Sequence, residues 1–220
     1  MRRTLPLILV LAAAAASATP DALRVRASPA VAPCVAAAGA AFERATGRRT
    51  LLETAPLGSA TSADGADLVI GADAELHRII ESGASHPDLD LDVARIPWVL
   101  VGPPGASAPD LRVLEREGAR VKVLGGSLGR QARRGLGSAA GGSLPADGTL
   151  PRLAPGEAAV LPLSLAPPGP VSPTAIPPFV ARALGVRASP RAREARAFLD
   201  FLAGEAGNAA FRGCGRPEAP

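Results

Sequence analysis

The stretch Ala66–Ala72, "ADLVIGA", is the feature that most constrains the fold. A near-continuous apolar run of strand length has no polar face to turn to water, so it suits a strand covered on both sides, the environment of a parallel sheet flanked by helices. Its surroundings agree. Before it, Leu23–Ala27 ("LRVRA") alternates like a strand, and Cys34–Thr46 ("CVAAAGAAFERAT") reads as a helix that stops at Gly47. Arg49–Glu53 reads as a second short strand. After the run, "DAELHRIIESG" predicts a helix with Leu76, Ile79 and Ile80 on one face, and "IPWVLVG" a further strand broken by "PPG". Strands alternating with helices predict an α/β fold with strand ends gathered on one edge, where such sheets bind ligands.

The middle of the chain is less regular. "ARVKVLGGSLGRQARRGLG" predicts a strand, a glycine loop and a basic helix. Leu144 to Gly156 carries three prolines and almost no helical pattern. "AAVLPLSLA" reads as a strand that Pro162 makes an edge or crossing segment. At the C-terminal end Ser189 reads as an N-cap with Pro190 at the first helical position. Ala195, Phe198, Leu199 and Leu202 then form an apolar stripe that Gly204 ends, and a second short helix spans Glu205–Phe211.

The N-terminus lies outside this pattern. Arg2 and Arg3, the apolar Leu5–Ala15 and then Ala16-Ser17-Ala18 form the charged, apolar and cleavage regions of an export signal over residues 1–18. About 20 helical residues are needed to cross a bilayer, and this run is shorter. The expected product is an exported, monomeric protein of the periplasm. Export takes 2 of the 24 basic residues and leaves 22 against 20 acidic ones, so a nucleic-acid partner loses its electrostatic support. Aromatics make up 3% of the chain, with no Tyr, which leaves few platforms for stacking bases or sugars. The two cysteines, Cys34 and Cys214, would meet an oxidising compartment. A bridge would tie the first helix to the C-terminal tail; two free buried thiols are the alternative.

Small residues and serines punctuate successive strand ends: Ser28 before Pro29, Ser59 in "LGSATSADG", and Ser127 in "GGSLG". Neutral hydroxyls, amide N–H groups and helix N-termini are the donors that suit a dehydrated anion which must also be released. Each serine is equally an ordinary cap or turn former. Arg130, Arg133 and Arg134, with Arg120 and Lys122 nearby, would steer anions or form a solvated helix face. His77 and His86 have no metal-site spacing, so no metal or other cofactor is expected. Asp64, Asp67 and Asp73 read as capping or hinge residues, and no G-x-S-x-G elbow exists for a serine hydrolase, so the chain reads as a non-enzyme. Trp98 reads as core.

Four segments, in order, carry a likeness to a known family: "LRVRAS…AAFERATG"; "GADLVIGAD" followed by a helix and "PWVLVGPPG"; "GEAAVLPLS"; and "SPRAREARAFLDFLAGEAGNAAFRGCG". The chain resembles the periplasmic molybdate-binding proteins of ABC importers, members of the type II solute-binding fold. The resemblance implies two α/β lobes joined by a two-strand hinge, with the second lobe reduced. Lobe 1 would take residues 19–99 and 171–220, and lobe 2 residues 100–170. It further implies a tetrahedral oxyanion such as molybdate or tungstate as ligand and an ABC permease as partner. By that resemblance Ser28 matches the first ligating serine and Ser59 the second, with Ser62 a rival. Ser127 and Gly129 match the second-lobe loop that offers backbone N–H groups, and Ser164 stands where the family has a tyrosine. The missing tyrosine, Pro29 and the lost helix before "GEA" are departures. They keep open a different anion, such as phosphate or sulfate, or a diverged sensor or interaction module.

Overall fold

The computed structural model describes residues 22–119, 121–146 and 149–213. The proposed signal peptide and Cys214 lie outside them. Two five-stranded sheets organise the chain. The first contains β1 (Leu23–Ala27), β2 (Thr50–Thr54), β3 (Leu68–Ala72), β4 (Ser85–Ile96) and β10 (Phe179–Val186), in the order β2-β1-β3-β10-β4. β1 pairs in parallel with both β2 and β3, whereas β10 runs antiparallel to β3 and β4. The second contains β5 (Trp98–Val101), β6 (Val121–Leu124), β7 (Ala140–Leu144), β8 (Ala158–Pro162) and β9 (Val171–Pro173), in the order β7-β6-β8-β5-β9. The chain passes between the sheets twice, at Pro97 and over residues 174–178, which makes the two-strand connection of a hinged, two-lobed molecule.

"ADLVIGA" lands where its composition requires. All five residues of β3 are buried, and the strand lies in the interior of the first sheet. On one face pack α1 (Ala32–Thr46), α5 (Ala192–Ala203) and α6 (Glu205–Gly213); on the other lies α2 (Asp73–Glu81). Phe42 of α1 meets Phe198 and Phe201 of α5 edge-on, with ring centroids 5.1 and 5.4 Å away. The second sheet carries α3 (Leu111–Arg116) and α4 (Gly126–Leu136). It keeps as many strands as the first.

Several local expectations shift. β8 is interior, between β6 and β5, not at an edge. Pro162 ends it, so its missing N–H interrupts no long ladder. Ser189 is not the N-cap of α5; that position belongs to Arg191, and the Ser189 hydroxyl donates to Asp67 while accepting the Arg191 N–H. Ile80 leaves the apolar stripe of α2 and is 38% exposed. The acid-rich β4, "SHPDLDLDVARI", was not expected as a strand; its Leu89 and Val93 face the core while Asp88 and Asp90 face away.

Candidate functional site

The site forms at the carboxyl ends of β1 and β3, where the chain turns into α1 and α2. Ser28 directly follows β1. Its N–H donates to the Ile70 carbonyl of β3 at 2.9 Å, and its carbonyl accepts from the N–H groups of Val31 and Ala32 at 3.0 and 2.9 Å. The main chain therefore starts the helix without help from the side chain. The N-cap of α1 is Val31, with no side-chain cap. The Ser28 hydroxyl, 0% exposed, has no hydrogen-bond partner of ordinary geometry. Nearly every buried polar atom in a native protein finds one, and the group that acts with this hydroxyl is the Glu75 carboxyl.

Facing it is a group with no signal in the sequence. Glu75, in the first turn of α2, folds back so that its Oε2 accepts the Ala72 N–H at 3.0 Å. Burial pushes its carboxyl above the usual range, while the Ala72 N–H and the adjacent Ser28 hydroxyl pull it the other way. Gly71 keeps this corner open: a Cβ there would sit 2.8 Å from Leu57 Cδ1 and 3.3 Å from the Glu75 carboxylate. In the sequence Glu75 is an ordinary acid at a helix start; only the packing of α2 beside β1 carries it to Ser28.

The other candidates spread out. Ser164 follows β8 and is buried, and its hydroxyl donates to the Ala30 carbonyl two residues past Ser28, joining the second sheet to the first. Ser59 is exposed. It caps the 3-10 turn Ala60–Ala63, and its hydroxyl lies 3.0 Å from both Thr61 Oγ1 and Ser62 Oγ. Its rival Ser62 accepts N–H groups from Gly58 and Ser59 on its hydroxyl, while its carbonyl takes Arg26 Nη1 at 2.9 Å. Neither shares a hydrogen bond with Ser28. Ser127 is half-buried in the first turn of α4. Gly129 is buried in the same helix, where a Cβ would stand 1.6 Å from the Leu124 carbonyl, so close packing of α4 on β6 demands a glycine there.

Two cavities flank the crossing. One, of about 440 Å3, lies between Ala72, Asp73 and His77 at the start of α2, Gln131 of α4 and Phe179. The other, of about 520 Å3, is lined by Cys34, Asp92, Arg95, Ser164 and Arg212; Val180 lines both. A third, of about 790 Å3, sits at the opposite edge of the first sheet between Arg24, Asp67, Arg187 and Arg191. Arg182 of β10 binds Asp73 at 3.0 Å and also Asp90, fixing the start of α2 to the hinge strands. The basic stretch is partly structural: Arg133 Nη2 donates to the Gly142 carbonyl at 2.8 Å, and Lys122 pairs with Glu157 at 2.8 Å. Arg120 lies outside the described residues. Among the described residues no group of three or more His, Cys, Asp or Glu is placed to hold a metal ion, and no helix is long and apolar enough to cross a membrane.

This architecture is the α/β fold of the periplasmic solute-binding proteins, two mixed sheets with helices between and around them. The chain superposes on the periplasmic molybdate-binding protein of Azotobacter vinelandii with a TM-score of 0.69 and 16% identity, over 87% of this chain and 97% of that one. A substrate-binding domain of a putative molybdenum ABC transporter from Clostridium difficile gives 0.65 and 15%, over 88% and 96%. The sulfate-binding protein SubI from Mycobacterium tuberculosis gives 0.61 and 17%, over 91% and 88%. In sequence, no protein-family profile and no curated protein matches the chain.

Proposed function

We propose that the chain is an exported solute-binding protein that encloses a small tetrahedral oxyanion between its lobes and hands it to an ABC permease. The observation that carries this reading is the Ser28 hydroxyl: wholly buried at the carboxyl end of β1, without a hydrogen bond of ordinary geometry, and not spent on capping α1. Buried donors without acceptors are costly, and an anion at the carboxyl end of β1 supplies the acceptor. Ser127 and the α4 N-terminus offer donors from the second lobe. Molybdate and tungstate head the panel on the strength of the resemblance, followed by sulfate and phosphate. A second reading, a diverged fold that senses or binds a protein, draws on the hydroxyls of Ser59 and Ser164, which are already satisfied within the protein.

Thermal shift of the mature protein against the panel tests both. A ligand present at a hundred times its dissociation constant adds about 2.7 kcal/mol of stability. Ser28→Ala should weaken binding of that ligand by about 1–3 kcal/mol. No shift with any anion favours the sensor reading.

A further inference from the structure

Asp67 organises the edge of the first sheet opposite the Ser28 turn. It is buried, and its carboxylate takes the Arg24 N–H at 2.8 Å and the Ser189 hydroxyl at 2.6 Å. Its carbonyl takes the Val186 N–H at 3.0 Å. Ser189 in turn accepts the Arg191 N–H at 2.9 Å, and the Arg187 N–H donates to the Ala84 carbonyl at 2.8 Å. One buried residue therefore sets the main chain of β1, of the turn past β10 and of the start of α5. Each of these carries an arginine, and Arg24, Arg187 and Arg191 all line the cavity of about 790 Å3. Among the described residues no hydrogen bond or ion pair engages their guanidiniums. The start of α5, which has no side-chain cap, adds the positive end of a helix dipole to the same corner.

We propose that Arg24, Arg187 and Arg191, framed by Asp67, form a second binding site that takes a small aliphatic di- or tricarboxylate. A guanidinium fork meets a carboxylate with two parallel hydrogen bonds, and three open forks around one hollow suit a ligand with several such groups. Volume argues for an organic molecule over a bare inorganic anion, since cavities of about 300–1,000 Å3 hold molecules of drug size. The rest of the lining is small and aliphatic, with Ala63, Ala84, Val186 and Pro190, and no aromatic ring is present to stack a base or a sugar. Charge narrows the class further. The three guanidiniums share the cavity with Asp67 and the exposed Asp64. Single charges spaced along a short frame match that modest excess better than the concentrated charge of a bisphosphate. The site is independent of the oxyanion reading: Arg24 and Ser28 stand at opposite ends of β1, about 13 Å apart at the usual strand rise.

Isothermal titration of the mature protein with tricarballylate, butyrate and methylenediphosphonate tests the assignment, with amide shifts in NMR spectra locating the ligand. Tricarballylate should bind one to one, more weakly as salt rises, and move the amides of Gly65, Gly83 and Ala188. Butyrate, with one carboxylate, should bind at least about tenfold more weakly. The double variant Arg187→Gln/Arg191→Gln should weaken tricarballylate by about ten- to a hundredfold. Ser28→Ala should leave its affinity within about twofold, because the two sites share no residue. No binding of tricarballylate overturns the site, and so do shifts gathered around Ser28 or a double variant that binds as wild type does. Methylenediphosphonate held more tightly than tricarballylate overturns the carboxylate class. Should the double variant fail to fold, Arg24→Gln and the shift map decide.

Discussion

Ser28 and Ser59 occupy equivalent places in the sequence, each a serine among small residues after a strand, yet their surroundings divide them. Ser28 is sealed in with the Glu75 carboxyl acting on its hydroxyl; Ser59 is exposed and held by Thr61 and Ser62. Ser59→Ala should therefore leave anion affinity within about twofold of wild type and change stability by under about 0.5 kcal/mol, read by titration and urea unfolding. Asp67 is the opposite case. It is 5% exposed and takes both the Arg24 N–H at 2.8 Å and the Ser189 hydroxyl at 2.6 Å. Asp67→Ala orphans two donors and should cost about 2–4 kcal/mol in urea unfolding. Glu75 adds a pH signature. Its carboxyl is raised in the folded state, so the folded protein keeps that proton to higher pH than the unfolded chain. Its contribution to stability is fully present below the unfolded value and is lost as pH rises through the folded value. Glu75→Gln should thus resist urea better than wild type near neutral pH, and the advantage should vanish in acid.

At the scale of elements, the fold rests on strands whose burial matches their place in a sheet. β3, apolar throughout, is legible from its composition alone. β4 is not: its alternating acids signal a half-exposed strand, but the Asp residues also suit a loop, and only pairing with β10 decides. That pairing is anchored by Arg182, whose guanidinium reaches across from β10 to Asp90 of β4 and Asp73 of α2. Arg182→Ala should loosen the start of α2 and lower stability by about 1 kcal/mol, with faster amide exchange confined to α2 and β4. β10 also requires Gly185, where a Cβ would lie 2.5 Å from that of Leu89. The glycine loop makes α4 legible in the sequence, but not the need for Gly129, because a packing demand leaves no trace in a single sequence.

Over the whole molecule, two contacts tie together segments far apart in the chain. The Ser164 hydroxyl holds the Ala30 carbonyl across the interface, next to the turn that contains Ser28. Ser164→Ala should shift the ligand-free protein toward open forms, seen as a larger radius of gyration in small-angle scattering. The other contact is the proposed bridge between Cys34 and Cys214. Cys34 is fully buried in α1, and the described residues include no free cysteine; Cys214 lies beyond them. If the bridge forms, intact mass of the exported protein without reductant should fall short of the dithiol by two hydrogens, and reduction should cost about 2–4 kcal/mol.

The sequence by itself determined the α/β class, the central place of β3, the α5–α6 ending and the position of Ser28 at a strand end, because these follow from periodicity, burial demand and local turn chemistry. Tertiary structure alone decided that Ser28 is buried while Ser59 is exposed, that the Ser164 hydroxyl joins the second sheet to the first, and that Glu75 acts on Ser28. Those facts depend on which distant segments share a corner, and a linear pattern holds no record of distances between residues 28, 75 and 164.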